Sequence, residues 1–410
     1  MVLRVPRPVR RLPTGRRLCR LAVGLVVLVG LPALLAAPSP AAATLQPAPG
    51  RQVLGYYVPY DPTSWASLQA HPEALDLVAA QWVTIDPCGG IGSRDDQTLK
   101  RLVRAHGRRL LPSLLTSSAW LNHRLLADPD VSAHAVDEIV AYTLAEGYDG
   151  FDLDLEGVAA TDRDAYTDFV ARLGAALHER GLLLTLALPA KEREVTTGWA
   201  GAYDYAALGA EADLITLMTY EYRGAWSGPG SVAPYAWVQR VIAFASSQMP
   251  PERLLLGLAF YGYDWNTTSG GARALGYAQA AALADQYAVP IELDPASQSV
   301  RFGYQGLAGE PLPAVPAVAA PTAHLLTTRE PAACPVVPPP PPPAPRPTPA
   351  PEPGMPQAHT VWLEDSDSAA VRLDLVDQYA LAGVATWRLG LEDPRVWDLF
   401  QNWRSGTPDS

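Results

Sequence analysis

The chain has 410 residues, of which 48% are apolar and 18% charged, so a sizeable core is available and wholesale disorder is excluded. Formal charge is −11; seven arginines and no acid lie in the first 43 residues, and without them 24 basic residues face 42 acidic ones, a charge of −18. Such an acidic body excludes phosphate-backbone binding as the main task, so no nucleic-acid partner is expected, and it excludes electrostatic capture by anionic lipid.

Residues 1–43 read as a secretory signal: an Arg-rich start, an apolar run of 17 residues over 21–37, then small residues ending in Ala41-Ala42-Ala43. The competing reading is a retained single membrane anchor, since the run is at the lower limit for spanning a bilayer. Cleavage would leave a secreted protein, extracellular or cell-wall associated, with no membrane partner. Residues 44–50 form a linker. Cys19 sits in the signal; Cys88 and Cys334 permit one disulfide, and whether they pair is open. No Cys/His cluster has zinc-ligand spacing, so no structural metal is expected.

Strand signals then alternate with helical ones. Residues 52–59 (QVLGYYVP) read as a strand, as do Leu77–Ile85 and 109–115, with a helix over 96–106 between the last two. Helical spacing covers 131–146, with Asp130 as expected N-cap and Gly147 as stop. Gly150–Leu155 is a fourth strand. A helix over 161–180 follows, with Thr161 and Asp164 as a capping-box-like pair and Gly181 at its end. Strand-like runs occupy 182–188, 214–220 and 254–261, a helix over 232–249 separating the last two. An eighth run covers 381–388, before an amphipathic segment over 394–403.

Eight short apolar strands mostly separated by helices predict a parallel sheet covered by helices, and eight such units fit a closed (β/α)8 TIM barrel of the α/β class. Strands one to seven would span 51–266, and 368–405 would complete the barrel. Residues 267–367 read as a small α+β insertion, with a helix near 277–287 and strands near 300–305 and 360–363. Within it, residues 311–356 hold 18 of the 41 prolines. That composition favours extended, solvated polyproline, and a disordered spacer is expected there.

The chemistry is concentrated in the fourth strand, Asp149-Gly150-Phe151-Asp152-Leu153-Asp154-Leu155-Glu156-Gly157. Side chains alternate along a strand, so Phe151, Leu153 and Leu155 would face the covering helices while Asp152, Asp154 and Glu156 point into the barrel. Barrel interiors are normally filled by Val, Ile and Leu, and unpaired buried carboxylates each cost several kcal/mol (roughly). A calcium loop is a poor fit, because the intervening positions are apolar and strand-like. Acid catalysis fits better: like-charged neighbours raise a carboxyl pKa, and Glu156, at the rim where barrel enzymes keep their sites, could hold a transferable proton.

The D-G-x-D-x-D-x-E pattern of residues 149–156 resembles the signature of chitinase-type glycoside hydrolases of family 18. Leu217-Met218-Thr219-Tyr220 is similar to that family's sixth-strand motif, residues 256–265 (LGLAFYGYDW) to its seventh strand, and Ala385-Thr386-Trp387-Arg388 to its eighth. The nearest branch resembles bacterial cell-wall and spore-cortex N-acetylglucosaminidases, on Trp226-Ser227-Gly228-Pro229-Gly230 and Trp387-Arg388-Leu389-Gly390. The resemblance implies retaining, substrate-assisted hydrolysis of β-1,4 linkages next to N-acetylglucosamine, in peptidoglycan or chitin-like polymers, by a monomer that needs no cofactor and no metal. It implies Glu156 as general acid, Asp154 as the residue orienting the substrate acetamido group, Asp152 as the partner tuning Asp154, and Tyr220 as a hydrogen-bond donor to that group. Trp387 would form the floor under the reacting sugar, with Glu221, Met218 and Tyr57 in substrate contact and Asp149 supporting the strand.

One position departs from the family pattern: Glu221 stands where Asp usually follows the sixth-strand Tyr. A misplacement of about 1 Å can cost about 100-fold in rate, so a catalytically weak or silent carbohydrate-binding barrel is the alternative. Tyr57, Trp82, Tyr261, Tyr263 and Trp265 could stack on sugar rings or simply pack the barrel.

Overall fold

A computed structural model of the chain describes residues 51–314, 324–340 and 352–406. The expected signal and linker lie outside the described residues, as does part of the Pro-rich stretch. Eight parallel strands close into a barrel: Gln52–Tyr57, Leu77–Ile85, Arg109–Thr116, Gly150–Leu155, Leu183–Pro189, Leu214–Met218, Leu254–Ala259 and Gly383–Trp387. Each pairs with the next, and the first pairs with both second and eighth. No strand of the barrel is left with an open edge.

The barrel has two apolar layers. Inside it Leu54, Tyr56, Leu77, Ala79, Leu111, Leu183, Leu214 and Leu255 pack together, with Trp387 against them. Outside, the alternate residues of the same strands, such as Val53, Val78, Leu110, Leu153 and Leu184, pack on the helices. Period-two alternation sends each strand's residues to one layer or the other.

Helices Pro62–Ala70, Ala119–Ala127 and Tyr205–Glu211 join those the periodicity predicts. The N-cap of Pro129–Glu146 is Asp128, not Asp130: Pro129 occupies the first helical turn, and Asp128 accepts the Asp130 and Val131 N–H groups. The next helix begins only at Arg163, after a 3-10 turn over Ala160–Asp162, so Thr161 lies in that turn and does not cap it.

Between the seventh and eighth barrel strands lies a five-stranded antiparallel sheet in the order Ala272–Gly276, Tyr261–Asn266, Pro356–Leu363, Ser299–Leu307, Glu292–Asp294. Helix Tyr277–Gln286 covers it around Leu283, Phe302, Tyr304 and Val361. Helix Ser366–Gln378 then ties sheet to barrel through buried Arg372, which donates to Gln298 O and Ala233 O and pairs with Glu364 at 2.9 Å.

Part of the Pro-rich stretch is anchored rather than solvated throughout. Leu326–Arg329 pairs antiparallel with Ile91–Asp96, the strand that folds back from the second barrel strand. His324 meets Asp96, Arg329 meets Glu138 at 2.7 Å, and Cys334 is bonded to Cys88.

Candidate active site

The fourth strand carries its apolar and acidic residues on opposite sides. Phe151, Leu153 and Leu155 are buried in the outer layer. Asp152 is fully buried within the barrel, and strand register sets Ser113 and Thr185 beside it on either hand. Its carboxylate accepts from Ser113 Oγ at 2.7 Å, Thr185 Oγ1 at 2.5 Å and the Tyr56 hydroxyl at 3.4 Å. Burial lifts its pKa to about 6 despite those three donors, which act in the opposite direction.

Asp154 lies one layer higher. It is buried, and Oδ1 has no hydrogen-bond partner among the described residues. Burial, then the charges of Glu156 and Asp152, push its pKa well above the ordinary carboxylate value. A buried acceptor without a donor is costly in an unliganded protein and is a natural partner for a ligand N–H or a proton. Asp149, at the foot of the strand, accepts from Leu110 N at 2.8 Å and takes no part in this row.

Glu156 terminates the strand. Its N–H donates to Thr116 O at 2.8 Å and its carbonyl accepts from Asn122 Nδ2 at 2.6 Å, so the backbone is clamped from two elements. Gly157 then turns the chain at φ 65°, a left-handed conformation that disfavours side chains, and a Cβ there would press on Trp199. The carboxyl pKa of Glu156 is raised, first by burial and second by the charge of Glu221. Glu156 is therefore biased toward the proton-bearing form that a general acid requires.

These groups open onto a groove of about 520 Å³ whose wall includes Asp154, Glu156, Met218, Tyr220, Glu221 and Trp387. Six of the eight sequence-predicted site residues thus share one cavity, with Asp152 immediately beneath. Tyr220 is seated by Gly257: a Cβ there would lie 3.0 Å from its ring and 2.3 Å from Leu217 O. Trp387 ends the eighth strand, meets Tyr56 edge-on at 5.4 Å between centroids, and joins Arg388 through a cis peptide bond. Glu221 adopts φ 61°, and its Oε1 accepts from the Tyr261 and Tyr263 hydroxyls at 2.6 and 2.7 Å. The longer side chain is therefore held against two phenols on the seventh-strand side.

Tyr57 departs from expectation. It belongs to the outer layer, packed against Trp82 at 6.3 Å, and does not line the groove. Alternation turns the preceding residue inward, so Tyr56 is the first-strand tyrosine beneath the site. Trp82 is likewise outer packing, while Trp265 is buried and donates to Ser227 O. Tyr261 and Tyr263 do line the groove, together with Tyr60, Asp61 and Gln279, which no sequence motif marks, and Arg388, which the eighth-strand motif contains without an expected role.

The sequence profile of the glycosyl hydrolases family 18 matches residues 52–392. Among characterised relatives, the chain is 29% identical over 287 residues to a cortical fragment-lytic enzyme of Bacillus subtilis, covering 69% of this chain and 56% of that one. The chain spans little more than half the length of the first curated relatives it matches. Among solved structures, the spore cortex-lytic enzyme SleL of Bacillus megaterium superposes with TM-score 0.68 at 23% identity, covering 87% of this chain and 75% of that one. A chitinase from Chromobacterium violaceum superposes with TM-score 0.70 at 24% identity, over 87% and 99% respectively. These structural likenesses establish the TIM-barrel fold, and the profile match over most of the chain establishes that it belongs to the glycosyl hydrolases of family 18.

Proposed function

We propose that the protein is an exported glycoside hydrolase that cleaves β-1,4 linkages next to N-acetylglucosamine, in peptidoglycan or a chitin-like polymer, with retention and with the substrate's own acetamido group as nucleophile. One observation carries the reading: three carboxyl groups rise in a line from the barrel floor to the groove, and the last is biased toward its protonated form. The cortical fragment-lytic and chitinase relatives support the substrate class. The Cys88–Cys334 disulfide supports export, since such bonds persist in oxidising compartments.

In this mechanism a sugar rests on Trp387 with its glycosidic oxygen at Glu156. Glu156 gives its proton to the departing oxygen as the acetamido oxygen attacks the anomeric carbon. The bond to the leaving sugar breaks and a cyclic oxazolinium ion forms. Asp154, whose Oδ1 has no protein donor, accepts the acetamido N–H and balances the developing positive charge. Asp152, held by Ser113, Thr185 and Tyr56, tunes the charge of Asp154, and Tyr220 bonds the acetamido group from the groove wall. Glu156, now ionised, takes a proton from the incoming water, which opens the oxazolinium and regenerates the acid.

Glu156→Gln should lower release of reducing ends by at least about 100-fold, the lower range for removing a general acid, while oligosaccharide binding by calorimetry persists. Unimpaired release by the variant would refute the assignment. A wild-type protein that binds such oligomers but releases no reducing ends would establish a silent, sugar-binding barrel instead.

A further inference from the structure

The groove wall is mostly aromatic and acidic, with Asp61, Asp154, Glu156 and Glu221 facing it, and among the described residues Arg388 is the one cation in that wall. Arg388 follows the floor residue Trp387. Its Nη2 donates to Asp61 Oδ2 at 2.8 Å, and its guanidinium lies 5.4 Å from the ring centroid of Tyr60. Nη1 is buried and has no hydrogen-bond partner among the described residues. An unpaired guanidinium N–H shielded from water is destabilising, and an incoming acceptor recovers that loss. Tyr60 lines the same groove, and its ring is 69% exposed.

The position of this cation relative to the reacting bond follows from the barrel. Glu156 rises from the fourth strand and Arg388 from the end of the eighth, on the opposite side of an eight-stranded ring. A sugar lying on Trp387 with its glycosidic oxygen at Glu156 therefore presents its far end toward Arg388, Asp61 and Tyr60. The next saccharide, on the side away from the cleaved bond, falls beside the guanidinium. In a strand that alternates N-acetylglucosamine with a lactyl-ether sugar, that neighbour carries a carboxylate wherever no stem peptide is attached to it. In a polymer of N-acetylglucosamine alone it is neutral.

We propose that Arg388 is a specificity-determining residue that receives the lactyl carboxylate of the saccharide next to the reacting sugar, so that the groove selects an alternating, acid-bearing glycan over a neutral one. The inference rests on the glycosidase reading above and sharpens its substrate. Planar guanidinium donors match a carboxylate in geometry as well as charge, and in an otherwise acidic cavity this contact offsets the repulsion an anionic glycan meets elsewhere. Asp61 competes for the same guanidinium. Its second role is as N-cap of Pro62–Ala70, where Oδ1 accepts the Thr63 N–H, and an Asn there retains that capping oxygen.

The test uses the full chain and three substrates: alternating glycan strands stripped of stem peptides so that their lactyl groups are ionised, the same strands methyl-esterified, and neutral N-acetylglucosamine oligomers. Arg388→Met should lower kcat/KM on the acid form about tenfold or more, with a much smaller loss on the ester and on the neutral oligomers. Asp61→Asn, which releases the guanidinium, should raise the ratio of acid to ester turnover. Equal loss of Arg388→Met on all three substrates, or a fall in that ratio with Asp61→Asn, would overturn the proposal. Binding of acid and ester strands by calorimetry is read in parallel. If the wild type cleaves none of the three, the glycosidase reading fails, and a preference for the acid form that vanishes in Arg388→Met still decides the role of Arg388.

Discussion

Asp152→Asn isolates the cost of keeping a carboxylate inside the barrel. Among the described residues Asp152 has no cation beside it, and its partners are the hydroxyls of Ser113, Thr185 and Tyr56. Its folded pKa of about 6 stands above the ordinary 3.8. The folded state therefore binds this proton more tightly than the unfolded state does. The associated stability is fully present below about pH 4 and is lost as pH rises through 6. About two pKa units at 1.36 kcal/mol each place the loss near 3 kcal/mol as an order of magnitude. An Asn side chain still offers an acceptor to the hydroxyls and carries no charge at any pH. The difference in unfolding free energy between variant and wild type should then move by about 3 kcal/mol in the variant's favour between pH 4 and pH 7. Denaturant titrations across that range, with the disulfide kept oxidised, measure it, and any fixed loss from altered hydrogen bonding cancels between the two pH values. A difference that stays constant with pH would show that Asp152 is not a buried carboxylate titrating above its usual range.

Two further outcomes follow from charges elsewhere. Glu221→Gln removes the second cause of the raised Glu156 pKa while keeping an acceptor for Tyr261 and Tyr263. In the proposed mechanism the protonated acid is the active form, so activity should fall as pH rises through that pKa, and the alkaline limb of kcat/KM should move to lower pH in the variant; an unmoved limb contradicts the coupling. Arg372→Met strands Glu364, whose pKa is already pushed to about 7 by burial against the opposing effect of Arg372. A loss of about 3–5 kcal/mol in chemical denaturation is expected, greater at pH 8 than at pH 6 because an unpaired Glu364 resists ionisation; a change below about 1 kcal/mol would mean that the pair does not hold sheet to barrel.

The fourth strand was legible from sequence because its acids and hydrocarbons alternate without exception, so period and direction came together. The first strand was less so: all six residues from Gln52 to Tyr57 are buried, and hydropathy cannot distinguish which of two adjacent tyrosines faces inward. Ile91–Asp96 and Leu326–Arg329 are polar pairing strands with no alternation to reveal them. They are held by each other, by His324 and Arg329, and by a disulfide that spans 246 positions, none of which local composition encodes. Helices Ala119–Ala127 and Tyr205–Glu211 are too short to display a full apolar stripe. Arg388 stood in the eighth-strand motif without a role for a related reason: only the meeting of the first and eighth strands brings Asp61 and Tyr60 to it.

The central claim is that the substrate's own acetamido group attacks, aided by Asp154 and Glu156. Partially N-acetylated β-1,4-glucosamine oligomers, digested to early conversion and sequenced by mass spectrometry, test it most directly. Essentially every new reducing end should be an N-acetylated residue, because a free amine cannot form the oxazolinium ion. New ends bearing free amines in proportion to their abundance in the polymer would contradict the account.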